Sequence, residues 1–224
     1  MKRLCAACML WAMAVRPAAT LHAAEVYNYW IEPCTADASA RSGCNAADPE
    51  LASWALEAWQ KAGGSGLRFA PAGAENEARV RIYWLGRKPQ LYGDAHVVFL
   101  NGKRVWEIEV QPDLAQFGPQ IGAAGEKDRL FRDTVVYLTC LHEIGHVLAV
   151  PHTADFTDIM YSFQYGGDVL EYFNRYRREL KARADIPAHG GISEADRERV
   201  MRQSIFSSKN EPGEPVSDMQ VSFL

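Results

Sequence analysis

Between residues 142 and 152 the chain reads His142-Glu143-Ile144-Gly145-His146-Val147-Leu148-Ala149-Val150-Pro151-His152, and few folds can use that order of residues. On a helix, His142 and His146 lie one turn apart on the same face, so both imidazoles can reach one metal ion, with Glu143 angled into the same cleft. Pro151 cannot sit comfortably in a helix interior, so the helix breaks before it and His152 arrives from a different direction. Three neutral imidazoles and one open position are what a catalytic zinc ion requires, with water as the fourth ligand. The pattern therefore predicts His142, His146 and His152 as ligands and Glu143 as the adjacent base.

The segment from His142 to Met160 resembles the zinc-binding signature of the metzincin metallopeptidases, His-Glu-x-x-His-x-x-Gly-x-x-His followed by a methionine turn; Asp158-Ile159-Met160-Tyr161 stands where that methionine is expected. His-Glu-Ile-Gly-His, the proline before the third histidine and Ile-Met-Tyr are most similar to the matrixin branch. Ser162 stands where serralysin- and astacin-like enzymes place a tyrosine, so their extra tyrosine donor is not expected. The family's glycine is Ala149 here. A positive φ at that residue costs alanine roughly 1–2 kcal/mol.

The resemblance implies a secreted zinc-dependent endopeptidase that hydrolyses internal peptide bonds of protein or peptide substrates through a zinc-bound water. Glu143 takes the water's proton and later passes it to the leaving amine. Met160 forms an apolar floor beneath the ligands. The implied fold is α+β, a metzincin or zincin catalytic domain with a mixed twisted β-sheet of four to five strands, an N-terminal helix, a buried zinc-binding helix, the methionine turn and a C-terminal helix. Two other readings stay open: a catalytically inert metzincin-like binding module, hinted at by Ala149 and an occluding helix after the methionine, and a zinc amidohydrolase acting on a non-protein substrate.

Lys2 and Arg3 precede an apolar run of about 12 residues, too short to span a bilayer, and small residues lead to Ala23-Ala24 before Glu25. Residues 1–24 read as a secretory signal peptide, with an uncleaved N-terminal anchor as the alternative. Residues 25–206 read as the catalytic domain, and 207–224 as a tail or short edge strand. Losing Lys2, Arg3 and Arg16 takes the formal net charge from −4 to −7. So acidic a domain offers no basic patch for nucleic acid. No other stretch approaches membrane length, and a secreted, extracellular or periplasmic monomer is expected. In an oxidising compartment Cys34 and Cys44 pair, closing an 11-residue loop worth roughly 3 kcal/mol. Cys140 lies about 200 degrees around the helix from His142, which suits a buried thiol better than a ligand.

Periodicity places the remaining elements. Tyr27 to Ile31 reads as a first strand. Asp48-Pro49 starts a helix with Leu51, Ala55, Ala58, Trp59 and Ala62 on one face, ended by Gly63-Gly64. Val80, Ile82 and Trp84 alternate as a half-buried strand, and Asn101-Gly102 joins a hairpin in which Trp106, Ile108 and Val110 point one way. The metal helix starts near Asp133 as N-cap and is apolar around most of its circumference. A helix capped by Asp168 is expected to run to about Arg183, either walling the pocket for the residue after the scissile bond or covering core. The closing helix starts at Ser193, with Asp196 pairing the mature N-terminal ammonium, as the resemblance implies, or capping the helix.

The resemblance also implies a cleft-edge strand from Asp94 to Leu100, with Ala95, His96, Val97 and Val98 pairing an extended substrate. Gly93-Asp94-Ala95-His96 is similar to the region where matrixins hold a structural zinc and calcium. Only His96 matches, so zinc (Zn2+) is expected at the catalytic site alone, and calcium (Ca2+) stays open.

Overall fold

Val80, Ile82 and Trp84 are fully buried, and the strand they form lies at the middle of the sheet. The computed structural model describes residues 24–89, 91–207 and 221–223; the expected leader over 1–24 and most of the tail lie outside them. Strands β1 (Glu25–Ile31), β2 (Leu67–Pro71), β3 (Val80–Trp84), β4 (Gly93–Leu100), β5 (Lys103–Val110) and β6 (Val221–Phe223) form one mixed sheet in the order β2-β1-β3-β5-β4-β6. The first four in that order run parallel, and β4 is antiparallel to both of its neighbours. The β4–β5 hairpin turns at Asn101 and Gly102, whose φ of 53° and 76° is the left-handed geometry such a turn demands.

Five of the six make up the expected mixed sheet, and the sixth is the short edge strand offered for the tail. The additional strand comes from residues 221–223, which add to the outer edge of β4 because an edge strand there has free backbone groups to offer.

Seven helices accompany the sheet among the described residues: α1 (Ala36–Ser42), α2 (Asp48–Gly63), α3 (Pro119–Lys127), α4 (Arg129–Val147), α5 (Val169–Arg177), α6 (Ile186–His189) and α7 (Glu194–Ser207). The fold class is α+β. None of the described helices is long and apolar enough to cross a membrane. Helix α4 packs on α2, β4 and β5, and Trp59 of α2 donates its indole N–H to the Leu141 carbonyl at 2.7 Å. This contact registers the two helices at the level of the histidines.

Two helix boundaries and one cap differ from the sequence reading. The N-cap of α4 is Asp128, whose carboxylate accepts from the Leu130 and Phe131 N–H groups and pairs with Arg177 at 2.7 Å. Asp133 lies one turn inside the helix. The Asp48 carboxylate does not cap α2; it is buried in a two-pronged pair with Arg132 of α4, which supplies the counter-charge that burial requires. Helix α5 stops at Arg177, because the Asp185 carboxylate takes the N–H groups of Lys181 and Ala182, both at 2.8 Å, and starts a new turn there.

Cys34 and Cys44 form a disulfide across α1, with Cα atoms 6.0 Å apart. Cys140 is a free, buried thiol whose pKa is pushed up chiefly by burial.

Candidate metal centre

The end of α4 delivers the third histidine. The Val150 N–H reaches back to the Gly145 carbonyl at 3.0 Å and the Ala149 N–H to the His146 carbonyl at 2.9 Å. These two bonds make a Schellman closure, which needs a left-handed residue at its turn. That residue is Ala149, with φ 57°. The closure aims the chain back past Pro151, so that His152 faces the two helical histidines.

The three imidazoles converge. His142 Nε2 lies 3.1 Å from His146 Nε2 and 3.1 Å from His152 Nε2. A tetrahedral ion with zinc–nitrogen bonds of about 2.0–2.1 Å sets its imidazole nitrogens roughly 3.3–3.4 Å apart, so the set fits a divalent cation such as zinc. Among the described residues this is the only cluster of three or more His, Cys, Asp or Glu side chains placed to hold a metal; no second cluster forms for calcium.

Protonation suits the same role. Burial depresses the pKa of all three histidines, with neighbouring imidazoles adding to the effect on His142 and His146; His146 falls to about 3. His142 Nδ1 lies 2.7 Å from the Ile159 carbonyl. Only a protonated Nδ1 can donate there, which leaves the Nε2 lone pair free for a metal.

Glu143 is fully shielded from solvent, and neither of its carboxylate oxygens has a hydrogen-bond partner. Burial, reinforced by the charge of Asp94, raises its pKa well above the ordinary carboxylate range. The backbone of β4 begins directly against it: a methyl group built on Gly93 would stand 2.7 Å from Glu143 Oε1 and 2.9 Å from Thr139 Cγ2. Any side chain at position 93 would displace the glutamate, so glycine is required by close approach.

Met160 is completely buried. Its sulfur packs on the helix at Gly145, where an added methyl would lie 2.3 Å from Sδ. The loop carrying Met160 is tied to the one carrying His152: the Thr153 N–H donates to the Met160 carbonyl at 2.8 Å, and the Ser162 N–H to the Thr153 carbonyl at 3.1 Å.

A second layer of residues, whose joint role the sequence reading missed, holds this loop. Asp196 on α7 is buried and accepts the Ile159 N–H at 2.7 Å. Ser193 Oγ lies 2.7 Å from Asp158 Oδ1 and 3.0 Å from Asp196 Oδ2, its one proton shared between them, and Arg199 pairs with both carboxylates at 2.8 Å. Asp196 thus fastens the backbone of the residue whose carbonyl orients His142. The Tyr172 hydroxyl donates to the Asp158 carbonyl at 3.1 Å. For Asp196, both sequence readings were local to the helix or to the chain's start. The signal that points further is an unpaired Asp just inside a helix with Arg three residues on.

Of the expected cleft-edge residues, Ala95 is buried and His96, Val97 and Val98 are partly exposed. His96 Nδ1 lies 2.9 Å from Asp94 Oδ2, so its ring is engaged along its own strand. A cavity of about 430 Å³ opens beside Tyr92, between Phe117-Gly118-Pro119 and the Gly167–Leu170 start of α5. Tyr92 stacks on Phe117 with centroids 3.9 Å apart, while Phe163 and Phe173 close its far side at 6.1 and 5.8 Å.

No protein-family model and no curated protein sequence matches this chain.

Proposed function

We propose that this chain is a zinc-dependent endopeptidase of metzincin type, nearest the matrixin branch, working in an oxidising compartment outside the cytoplasm. The observation that carries the reading is Glu143: a buried carboxylate with no hydrogen-bond partner, on the same helix turn as two of three converging imidazoles. A carboxylate is retained in such a place at a substantial desolvation penalty, which structure alone does not repay.

A divalent cation held by His142, His146 and His152 would supply a Lewis acid for the substrate carbonyl and would acidify a water at its open position. The protein's own groups do the rest. Glu143, whose ionised form is disfavoured by burial in the metal-free protein and would be favoured by the cation's charge, accepts the proton of the attacking water and returns it to the leaving amine. Ile159 and Asp196 keep His142 in one tautomer and one orientation. Met160 fills the space under the ligands, so no water enters from behind. The β4 edge starting at Gly93 offers backbone groups to an extended peptide, fixing its direction while reading little of its side chains. The cavity bounded by Tyr92, Phe117 and the start of α5 would receive the side chain after the scissile bond. The Cys34–Cys44 disulfide supports the compartment.

The test is incubation of the protein with a broad peptide library, with and without chelator, alongside Glu143→Ala. Chelator-sensitive cleavage that disappears in the variant is expected. Stoichiometric zinc binding with no cleavage of any peptide would overturn the peptidase reading in favour of an inert binding module.

A further inference from the structure

Strand β6 lies on the β4 edge proposed for the substrate, overlapping the expected Ala95-to-Val98 stretch at Ala95. Its residues pair antiparallel with the start of β4, Val221 opposite Ala95, Ser222 opposite Asp94 and Phe223 opposite Gly93. The other side of β4 is bonded to β5 along its whole length, Gly93 to Leu100. The outer side is therefore the one edge at which an extended peptide can join this strand, and its first three residues are taken. Gly93 is also the residue whose backbone rests on the Glu143 carboxylate. Adjacent strands run about 4.7–4.9 Å apart, so the backbone at 221–223 passes one strand spacing from the roof over that carboxylate. Glu143 is 0% exposed, His142 1% and His146 2%, while His152 is partly exposed.

We propose that residues 221–223 are an internal pseudosubstrate strand, which competes with extended peptides for the Gly93–Ala95 edge and lowers activity until it leaves. Its inhibitory effect rests on the peptidase reading; its docking on β4 does not. The thirteen residues from 208 to 220 separate β6 from α7, and such a length spans at most roughly 45 Å. That is about the diameter of a domain of this size, so the strand can dock on its own chain. A tether of this length supplies an effective concentration on the order of 1 mM. For a short strand with an intrinsic Kd of about 0.1–1 mM, substrate binding is then weakened roughly two- to tenfold.

The test uses the full chain carrying Val221→Pro and Ser222→Pro. Successive N–H groups of a strand face opposite edges, so two adjacent prolines remove whichever one serves β4. A second variant with Val221→Gly, Ser222→Gly and Phe223→Gly weakens the strand while keeping its N–H groups. Faster amide exchange at Gly93–Ala95 is expected in both. In the zinc-loaded protein, KM for an added peptide should fall roughly two- to tenfold in the proline variant, with kcat unchanged. A peptide of residues 216–224 added to that variant should raise KM again. Unchanged exchange at Gly93–Ala95 overturns the docking, whatever the protein's activity. Faster exchange with an unchanged KM overturns the inhibitory role. Faster exchange in a protein that cleaves no peptide in any form overturns that role through failure of the peptidase reading, with the docking itself supported.

Discussion

Replacing Asp196 by alanine should loosen the metal centre from a residue that never touches the metal. The carboxylate accepts the Ile159 N–H, Ser193 Oγ and Arg199. Ser193 and Arg199 keep Asp158 as a partner after the substitution, so the group left unsatisfied is the Ile159 N–H, in a residue only 2% exposed. A buried donor without an acceptor costs about 1–3 kcal/mol. Burial and the neighbouring Asp158 already hold the Asp196 pKa above its ordinary value, and losing that strained charge offsets part of the loss. A net destabilisation of about 1–3 kcal/mol is expected, roughly 3–10 °C in Tm for a domain of this size. The second effect is at the metal. Freed at its N–H, Ile159 no longer fixes its carbonyl against His142 Nδ1, and zinc affinity should fall about 10–100-fold, the usual effect of losing an orienting partner. Asp196→Asn keeps an oxygen for the Ile159 N–H and relieves the carboxylate repulsion; it should lose less than about 1 kcal/mol and retain most of the affinity. Urea unfolding of the metal-free protein and competition against a chromophoric chelator measure the two effects separately. An alanine variant that is destabilised yet binds zinc as the parent does would refute the coupling through Ile159.

Four other outcomes follow from the same geometry. Ala149→Gly removes a left-handed alanine at φ 57°, relieving roughly 1–2 kcal/mol against about 0.4–1 kcal/mol of added unfolded-state entropy; a small rise in urea midpoint is expected, and a fall would contradict it. Gly145→Ala drives a methyl to 2.3 Å from Met160 Sδ and 3.1 Å from Trp59 Cζ2, and calorimetry should show a loss of about 1–3 kcal/mol with weakened zinc binding. Cys34→Ser with Cys44→Ser should lower stability by about 3 kcal/mol, measured by denaturant titration, for the short loop this disulfide closes. In chelator, stability should fall as pH drops below about 6.5. There the unfolded chain protonates His142 and His146 while the folded chain, with both pKa values depressed and His146 at about 3, does not. Glu143 acts in the opposite sense, its raised folded pKa binding a proton the unfolded chain lacks. His152, whose pKa burial also depresses, adds to the loss, so more than one net proton remains, a slope of at least about 1.4 kcal/mol per pH unit; a flat urea midpoint between pH 7 and 5 would contradict it.

The residues that could be read from sequence are those whose role is set by local geometry. Helical spacing fixes His142 and His146, Pro151 forces the turn, and Asn101-Gly102 fixes a hairpin whose inward face is Trp106, Ile108 and Val110. Helices α1 and α3 escaped because Ala36–Ser42 and Pro119–Lys127 are short and rich in small residues, with no apolar stripe to set a period. Asp128 and Asp133 are equal candidates for the start of α4 when only the neighbouring residues are weighed. What separates them is Arg177, 49 residues away, which meets Asp128, while Asp133 is paired with Arg183 at 3.2 Å.

The same reasoning explains why the converging histidines were legible while the parts that orient and enclose them were not. A ligand set is a statement about spacing along one chain, whereas its orientation and closure are statements about what other elements bring. Ile159 is an ordinary apolar residue in sequence, yet its carbonyl selects the His142 tautomer and its N–H is held by a helix that starts 35 residues later. In sequence Gly93 is only the residue before the expected Asp94-to-Leu100 strand, and the approach of β4 to α4 turns it into the residue that leaves room for Glu143. Position 93 then joins two claims that can fail independently. A side chain there would strike Glu143 from one direction, and β6 pairs with its backbone from another. Gly93→Ala should therefore displace Glu143 and depress kcat while sparing the exchange protection that β6 gives the strand. The proline substitutions at 221 and 222 should do the reverse, sparing kcat and releasing the edge.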